Sequence, residues 1–284
     1  DRVKKDVPVM VVMGNPPYAV SSSNKNEWIQ NLIADYKKDL NERKINLDDD
    51  YIKFIRYGQH YIEKNGEGIL AYISNNSFID GIIHRQMRKS LLECFDKIYI
   101  LDLHGNAKKK EVSPDGSKDE NVFDIMQGVS INIFIKKKQK SKKLADVYHY
   151  DLYGKRDFKY EFLDDNSLKT VKWEKLDYSE PNYFFVKKDF TDIKEYEKGF
   201  KISDLFILKN AGSATGKDAL FVDETKENLI KKLNIENIEF NENNIVKYNY
   251  RVFDNHYFLY DNKLIQRLRE NLMKNFRFEN IALI

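Results

Sequence analysis

The five residues Gly14-Asn15-Pro16-Pro17-Tyr18 have the types and the order needed to hold a planar target. Each prolyl ring fixes φ and removes a backbone donor. Asn15 precedes a proline and is pushed toward an extended conformation. The result is a stiff turn whose carbonyls are not absorbed into a helix. The Asn15 side-chain oxygen and the Pro16 carbonyl can both accept hydrogen bonds, and the Tyr18 ring can stack on a ring face. A structural Pro-Pro turn is the plain alternative, and these residues alone leave the choice open.

The elements around the turn bear on that choice. The preceding run, Pro8-Val9-Met10-Val11-Val12-Met13, is short, apolar and valine-rich and ends at a glycine. It reads as a buried strand that stops at a tight turn. Ligands in open α/β sheets bind beyond the carboxyl ends of strands, which favours a functional turn. Residues 19–50 are mostly polar and suit a loop beside the site, with a short helix where Trp28, Leu32, Ile33 and Tyr36 have helical spacing. Asp50 can cap a second helix, whose apolar side carries Tyr51, Ile52, Phe54, Ile55 and Ile62 and whose stop is Asn65-Gly66-Glu67-Gly68. A strand over 69–73, a helix over 86–95 and strands over 98–103 and 129–135 follow. Strand, helix, strand, helix, strand is the order of an α/β fold with crossover helices.

In that order the chain resembles the gamma-class DNA methyltransferases that modify N6 of adenine. The resemblance rests on Asn15-Pro16-Pro17-Tyr18, a strand ending in Ser74-Asn75-Asn76-Ser77-Phe78, a strand ending in Leu103-His104-Gly105, and Gly128-Val129-Ser130-Ile131-Asn132-Ile133-Phe134-Ile135. Within that class it is most similar to the single-chain restriction–modification enzymes of the type IIG and type ISP groups. The resemblance implies part of an S-adenosylmethionine-dependent, Rossmann-like methyltransferase sheet over residues 1–143. Strand 69–73 is expected parallel to the strand before the turn, and 129–135 antiparallel between 69–73 and 98–103, with 98–103 at the sheet edge. A mixed α+β extension of linking strands is expected over 144–200, and the start of a target-recognition domain over 201–284. Strands are expected at 147–153, 160–163 and 182–186.

The same resemblance implies roles. Asn15, Pro16, Pro17 and Tyr18 are the expected catalytic residues, with Asn15 also beside the cofactor. Phe54 is expected to pack against the adenine of S-adenosylmethionine, and Phe123 to contact the far face of a flipped base. For both rings a core role is an equal alternative. The Gly-rich loop that holds the methionine portion of the cofactor in that family does not precede Asp1. The cofactor site is therefore expected to be incomplete in this chain, a piece of a longer polypeptide continuing upstream and downstream. Double-stranded DNA and S-adenosylmethionine are the expected partners.

Near the end of the chain, Gly212-Ser213-Ala214-Thr215-Gly216-Lys217-Asp218 resembles a segment that follows the methyltransferase domain in the type ISP group. Tyr250-Arg251-Val252-Phe253-Asp254 resembles that group's Tyr-Arg-Pro-Phe-Asp block, with Val252 where proline is usual. The first segment is not a phosphate loop. Its glycine spacing is one residue short of the Walker pattern, and Asp218 stands where a hydroxyl is needed. The segment can instead approach a DNA backbone through Lys217 and its amides, or be simply a turn.

Composition narrows the classes. The 284 residues are 42% hydrophobic and 33% charged, with a net charge of +3, so a nucleic-acid partner must be argued from local charge. The lysine-rich run over 136–143 offers such charge, although a solvated strand end explains most of it. No run approaches the ~20 apolar residues of a membrane span. Cys94 is the single cysteine, which excludes an internal disulfide and a multi-cysteine zinc site and fits a reducing cytoplasm. His60, His84, His149 and His256 lack metal spacing, and no metal is expected. Asp102 and His104 invite an acid–base reading without a hydrolytic partner. Two other functions stay open: methyl transfer to a glutamine amide in a protein, and a non-catalytic DNA-specificity fragment.

Overall fold

The computed structural model describes residues 8–42, 45–139, 143–206, 208–251 and 253–277. The apolar run ahead of the tetrad forms β1 (Val11–Gly14), but not the buried strand expected: it lies at one edge of a six-stranded mixed sheet, where Val11 and Met13 are exposed. Its neighbour is β2 (Gly68–Asn75), parallel to it, with Val11 opposite Ile69. The other strands are β3 (Lys97–Asp102), β4 (Val129–Lys136), β5 (Asp146–Asp151) and β6 (Glu174–Lys175), in the spatial order β1-β2-β4-β3-β5-β6. β4 runs antiparallel between β2 and β3, as the resemblance implies.

Three helices follow the expected pattern. In α1 (Glu27–Lys37), Asn26 caps the first turn by accepting from the Ile29 amide, and Ile29, Ile33 and Tyr36 face inward at helical spacing. In α2 (Asp50–Asn65), Tyr51, Ile52, Ile55 and Ile62 are buried, and Gly66 ends the helix in the left-handed region at φ 88°. In α3 (Arg85–Cys94), Met87, Leu91 and Leu92 are buried. These helices cover one face of the sheet, in a core with Ile98, Ile100 and Phe134. Side chains alternate along strands. Leu101 of β3 and Val129 of β4 therefore reach the opposite face, where they form a second, smaller core with Leu103, Val122 and Leu152.

The register of the central strands is held by polar side chains as well as apolar ones. Asn132 is fully buried on β4. Its amide nitrogen donates to Ser74 Oγ at 3.1 Å and to the Ser130 carbonyl at 3.0 Å, and its oxygen accepts from Ser130 Oγ at 2.9 Å. A one-residue slip would break this set and turn each side chain to the wrong face.

Several expectations are corrected. β3 is not an edge strand, because β5 pairs with it in parallel from Lys97–Asp146 to Asp102–Asp151. The stretch over 144–200 is not a separate linker: the chain divides into Asp1–Phe190 and Thr191–Ile284, and β5 and β6 belong to the first unit. The expected strand at 160–163 is helical, within α4 (Arg156–Asp165). Tyr160-Glu161-Phe162 mimics alternation, but Phe162 and Leu163 join the second core while Lys159 is buried, a helical face. The segment 182–186 forms no strand. Phe185 is buried and makes one main-chain bond, to Ile79, rather than a ladder. Asp50 is not the cap of α2. Asp49 holds that position, and its carboxylate accepts from the Ser21 amide instead.

The second unit contains a three-stranded antiparallel sheet, β7 (Val222–Asp223), β9 (Asp254–Leu259) and β8 (Ile245–Arg251) in that spatial order. Leu229 and Leu233 of α5 (Lys226–Ile235) pack with Phe221, Ile245 and Phe258 into its core. No helix among the described residues is long and apolar enough to cross a membrane.

The approach of β1 to β2 passes over Gly68, at φ 148°. A Cβ there would lie 2.6 Å from the Met10 carbonyl oxygen. Gly68→Ala is expected to destabilise the chain by about 2 kcal/mol or more, because strain and a backbone clash add. Gly66→Ala meets nothing within 4 Å and should cost only the left-handed penalty of about 1 kcal/mol. Urea unfolding of the two variants checks the order.

Candidate active site

The tetrad leaves β1 at its carboxyl end. Asn15 and Pro17 are exposed, Pro16 is buried and Tyr18 is half-buried. The Tyr18 ring meets Phe123 edge-on, with centroids 6.1 Å apart at 64°. The two rings lie on the second core. The Tyr18 hydroxyl is buried without a hydrogen-bond partner among the described residues, and burial pushes its pKa up to about 12. It is a neutral phenol at any ordinary pH, and its ring is the useful part.

Phe123 sits in the long connection 104–128 between β3 and β4, which is held by bonds to α4. Lys159 is fully buried and donates to the carbonyls of Leu103 and Glu120, each at 2.7 Å, and pairs with Asp119 at 2.8 Å. The Asp119 carboxylate also accepts from the amides of Gly105 and Gly154. Arg156 donates to the carbonyls of Asn121 (2.8 Å) and Phe123 (3.2 Å) and to the Asp124 carboxylate. The Tyr160 hydroxyl donates to the Val122 carbonyl at 2.6 Å. Phe123 is thus fixed by its own backbone as well as by packing.

A second polar cluster pins the start of the same connection. His104 follows β3 in the left-handed region, at φ 51°. Its Nδ1 lies 2.9 Å from Glu111 Oε1 and its Nε2 2.8 Å from Asp151 Oδ1, while Tyr153 stacks on the ring at 3.7 Å. Burial alone would lower the His104 pKa, but the bonds to Asp151 and Glu111 and the nearby Asp102 charge outweigh it and carry it up to about 9. The imidazolium donates from both nitrogens. Asp102 accepts from Asn76 Nδ2 at 2.9 Å, and burial raises its pKa against the pull of His104. His149, below Asp151 on β5, is pushed down by burial. Together with Tyr153 these groups line a cavity of about 260 Å³. Oxygen or nitrogen atoms of Asp102, His104 and Asp151 lie within 4.8 Å of one another, close enough for a metal ion. Both His104 nitrogens already face carboxylates, so its proton fills the place a cation would take.

Of the residues expected from sequence, Asn15, Pro16, Pro17, Tyr18 and Phe123 are brought together by β1 and the pinned connection. Phe54 stands on α2 with 38% of its surface exposed, so it is not a core ring. Lys217 belongs to the second unit and is exposed. In its loop the Asp218 carboxylate takes bonds from the Thr215 and Tyr250 hydroxyls, which fits a fixed turn rather than a phosphate cradle. Val252, Lys140 and Lys142 lie outside the described residues. Arg156, Lys159, Tyr160 and Asp119 were not found from sequence. The signal was the i, i+3, i+4 spacing of 156, 159 and 160, hidden once that stretch is read as a strand.

Two outcomes follow from these clusters. Lys159→Met leaves Asp119 buried without its cation and is expected to cost about 3–5 kcal/mol in urea unfolding. For His104 the folded pKa is raised from 6.5 to about 9. Its contribution is complete below the unfolded pKa and is lost as pH rises through the folded one. The loss is on the order of 3 kcal/mol at most. Unfolding midpoints measured from pH 6 to 10 are expected to fall more steeply for the parent chain than for His104→Gln.

Residues 7–108 match the Eco57I restriction-modification methylase family, and residues 224–284 match the Type ISP C-terminal specificity domain. No match is found among curated proteins. Among solved structures, the chain is similar to the ATP-dependent Type ISP restriction-modification enzyme LlaBIII bound to DNA, with 26% identity and a TM-score of 0.69 over 94% of this chain and 21% of that one. A nuclease-deletion mutant of the Type ISP enzyme LlaGI with a DNA substrate mimic shares the fold at 21% identity and a TM-score of 0.68, over 94% of this chain and 26% of that one. The DrdV–DNA complex shares it at 22% identity and a TM-score of 0.66, over 92% and 31%. The chain therefore spans between 21% and 31% of the length of these proteins. Residues 7–108, which include the tetrad, thus match a restriction-modification methylase family, residues 224–284 match a Type ISP specificity domain, and the fold is similar to that of the Type ISP enzyme LlaBIII.

Proposed function

We propose that the protein transfers a methyl group from S-adenosylmethionine to N6 of an adenine swung out of duplex DNA, at a site chosen by its specificity domain. The observation that carries this reading is the tetrad. It lies at the carboxyl end of β1, inside the segment matched to the methylase family, with Asn15 accessible and the Tyr18 ring turned against Phe123. The work belongs to the cytoplasm, where the single thiol of Cys94 stays reduced.

The cofactor supplies an electrophilic methyl group when bound. Asn15, at the strand end, and the accessible ring of Phe54 have the polar and aromatic character to hold it. The exocyclic nitrogen of adenine is a poor nucleophile because its lone pair is delocalised into the ring. The Asn15 oxygen and the Pro16 carbonyl accept hydrogen bonds from its two N–H groups and favour a more tetrahedral nitrogen; as the nitrogen–methyl bond forms and the methyl–sulfur bond breaks, one of those protons is released to water. Pro17 keeps that carbonyl out of a helical bond. Tyr18 stacks on the base and Phe123 closes the site from the connection. Extrusion of the base costs a few kcal/mol, and stacking returns roughly 1–3 kcal/mol per base. Lys217 neutralises backbone phosphate from the second unit.

The test is single-turnover transfer of labelled methyl to duplex DNA by the full-length enzyme, with a fluorescent base analogue at the target to report extrusion. Asn15→Ala is expected to slow transfer by roughly 100-fold or more, as for loss of one oxyanion-type contact, and to change DNA affinity little. Tyr18→Phe keeps the ring and should be mild, whereas Tyr18→Ala should impair both extrusion and transfer. Unchanged transfer by Asn15→Ala would reduce the tetrad to a turn. Label appearing in a release-factor-like protein instead of DNA would favour a glutamine amide as the acceptor.

A further inference from the structure

We propose that the β8–β9 hairpin of the second unit is a nucleic-acid-reading ribbon and that Phe253, at its tip, stacks on nucleobases. The proposal rests on the DNA reading above and names the part of this chain that touches the bases. Phe253 is 99% exposed, the most exposed large apolar side chain among the described residues. It also lies in the left-handed region, at φ 67°. A bulky residue rarely adopts that region, and hydration of the ring is unfavourable as well. Such a residue, held against both tendencies, points to a ligand contact.

The hairpin places it. Arg251 pairs with Asp254, so Phe253 stands at the turn between the strands. On the inner face Tyr250 stacks on His256 at 4.9 Å and Tyr248 packs on Phe258 at 4.7 Å, which stiffens the ribbon. On the outer face Lys247, Asn249, Arg251 and Asn255 are exposed. The adjacent carboxylate, Asp254, is tied to His256 at 2.8 Å, and that of Asp218 accepts from the Tyr250 hydroxyl on the inner face. A protein partner for an exposed phenylalanine would be expected to find apolar neighbours around it. Here the exposed side chains of the outer face include two cations and two amides, the kinds that bond phosphates and base edges. A two-stranded ribbon is of the width that enters the major groove, and a phenylalanine is among the residues inserted between base steps.

The test uses the whole chain and a fluorescein-labelled duplex, followed by anisotropy over a range of salt. Phe253→Ala is expected to weaken binding about ten-fold through lost stacking, with the slope of log affinity against log salt unchanged. Arg251→Ala and Lys247→Ala are each expected to reduce that slope by about one. Phe253→Trp should retain affinity, with indole fluorescence quenched on adding DNA. Circular-dichroism melts should not move, since the Phe253 ring is solvent-exposed. Phe253→Ala binding as tightly as the parent overturns the proposal, as does a parent chain that ignores duplex DNA. So does a variant that changes only the sedimentation coefficient, which would assign the ring to a protein contact. A full-length enzyme that binds DNA through Phe253 yet transfers no methyl group would sink the methyltransfer reading and leave this one standing.

Discussion

Lys159 and Asp119 form an ion pair in which neither side chain reaches solvent. Two charges taken out of water are tolerated only when further hydrogen bonds satisfy them. Here two carbonyls complete the ammonium and two amides complete the carboxylate. With the pair itself, those groups come from four stretches of chain: the end of β3 (Leu103, Gly105), the connection before β4 (Asp119, Glu120), the turn after β5 (Gly154) and α4 (Lys159). Removing any one of them strands a charge. The pair therefore ties four segments to one geometry, and Phe123 is carried within it. The aromatic contact with Tyr18 is a consequence of that tie, since a long polar connection would not by itself keep one ring in one place.

The His104 cluster fastens the other end of the connection by the same means. An imidazolium between Glu111 and Asp151 joins the connection to β5, and Asp102 joins it to Asn76 after β2. Both clusters draw on residues that follow β4. β5 and α4 do more than extend the sheet, because they support the loop that completes the candidate site.

Much of the first unit was legible in sequence because its signals are local. The glycine that ends β1, the Asn-Gly-Glu-Gly stop and the valine- and isoleucine-rich strands each have a short-range physical cause. The antiparallel insertion of β4 came through the family resemblance, since nothing in Val129–Lys136 states its neighbours. The position of β5 beside β3 was missed for the same reason: Val147, Tyr148 and His149 alternate as any half-buried strand does. α4 was misread because three aromatic-rich residues imitate a period of two. The tetrad was visible as four adjacent residues, whereas its support was not. Asp119 and Lys159, or His104 and Asp151, are far apart in the chain, and a buried charge looks the same in sequence as an exposed one.

The order of these segments along the chain has a consequence for synthesis. β1 and β2 can pair as soon as α2 has formed between them, and β4 can then insert against β2. At that stage Asn15, Pro16 and Tyr18 are already in place at the end of β1. Phe123 is not, because Asp151, Arg156, Lys159 and Tyr160 have yet to leave the ribosome. Until they do, Asp119 lacks its cation and His104 its second carboxylate, so the connection is not yet tied to β5 and α4. Domains generally fold as units as they emerge. In this one the sheet precedes the completed pair of rings, and a nascent chain halted after β4 would hold the tetrad with nothing to close over it.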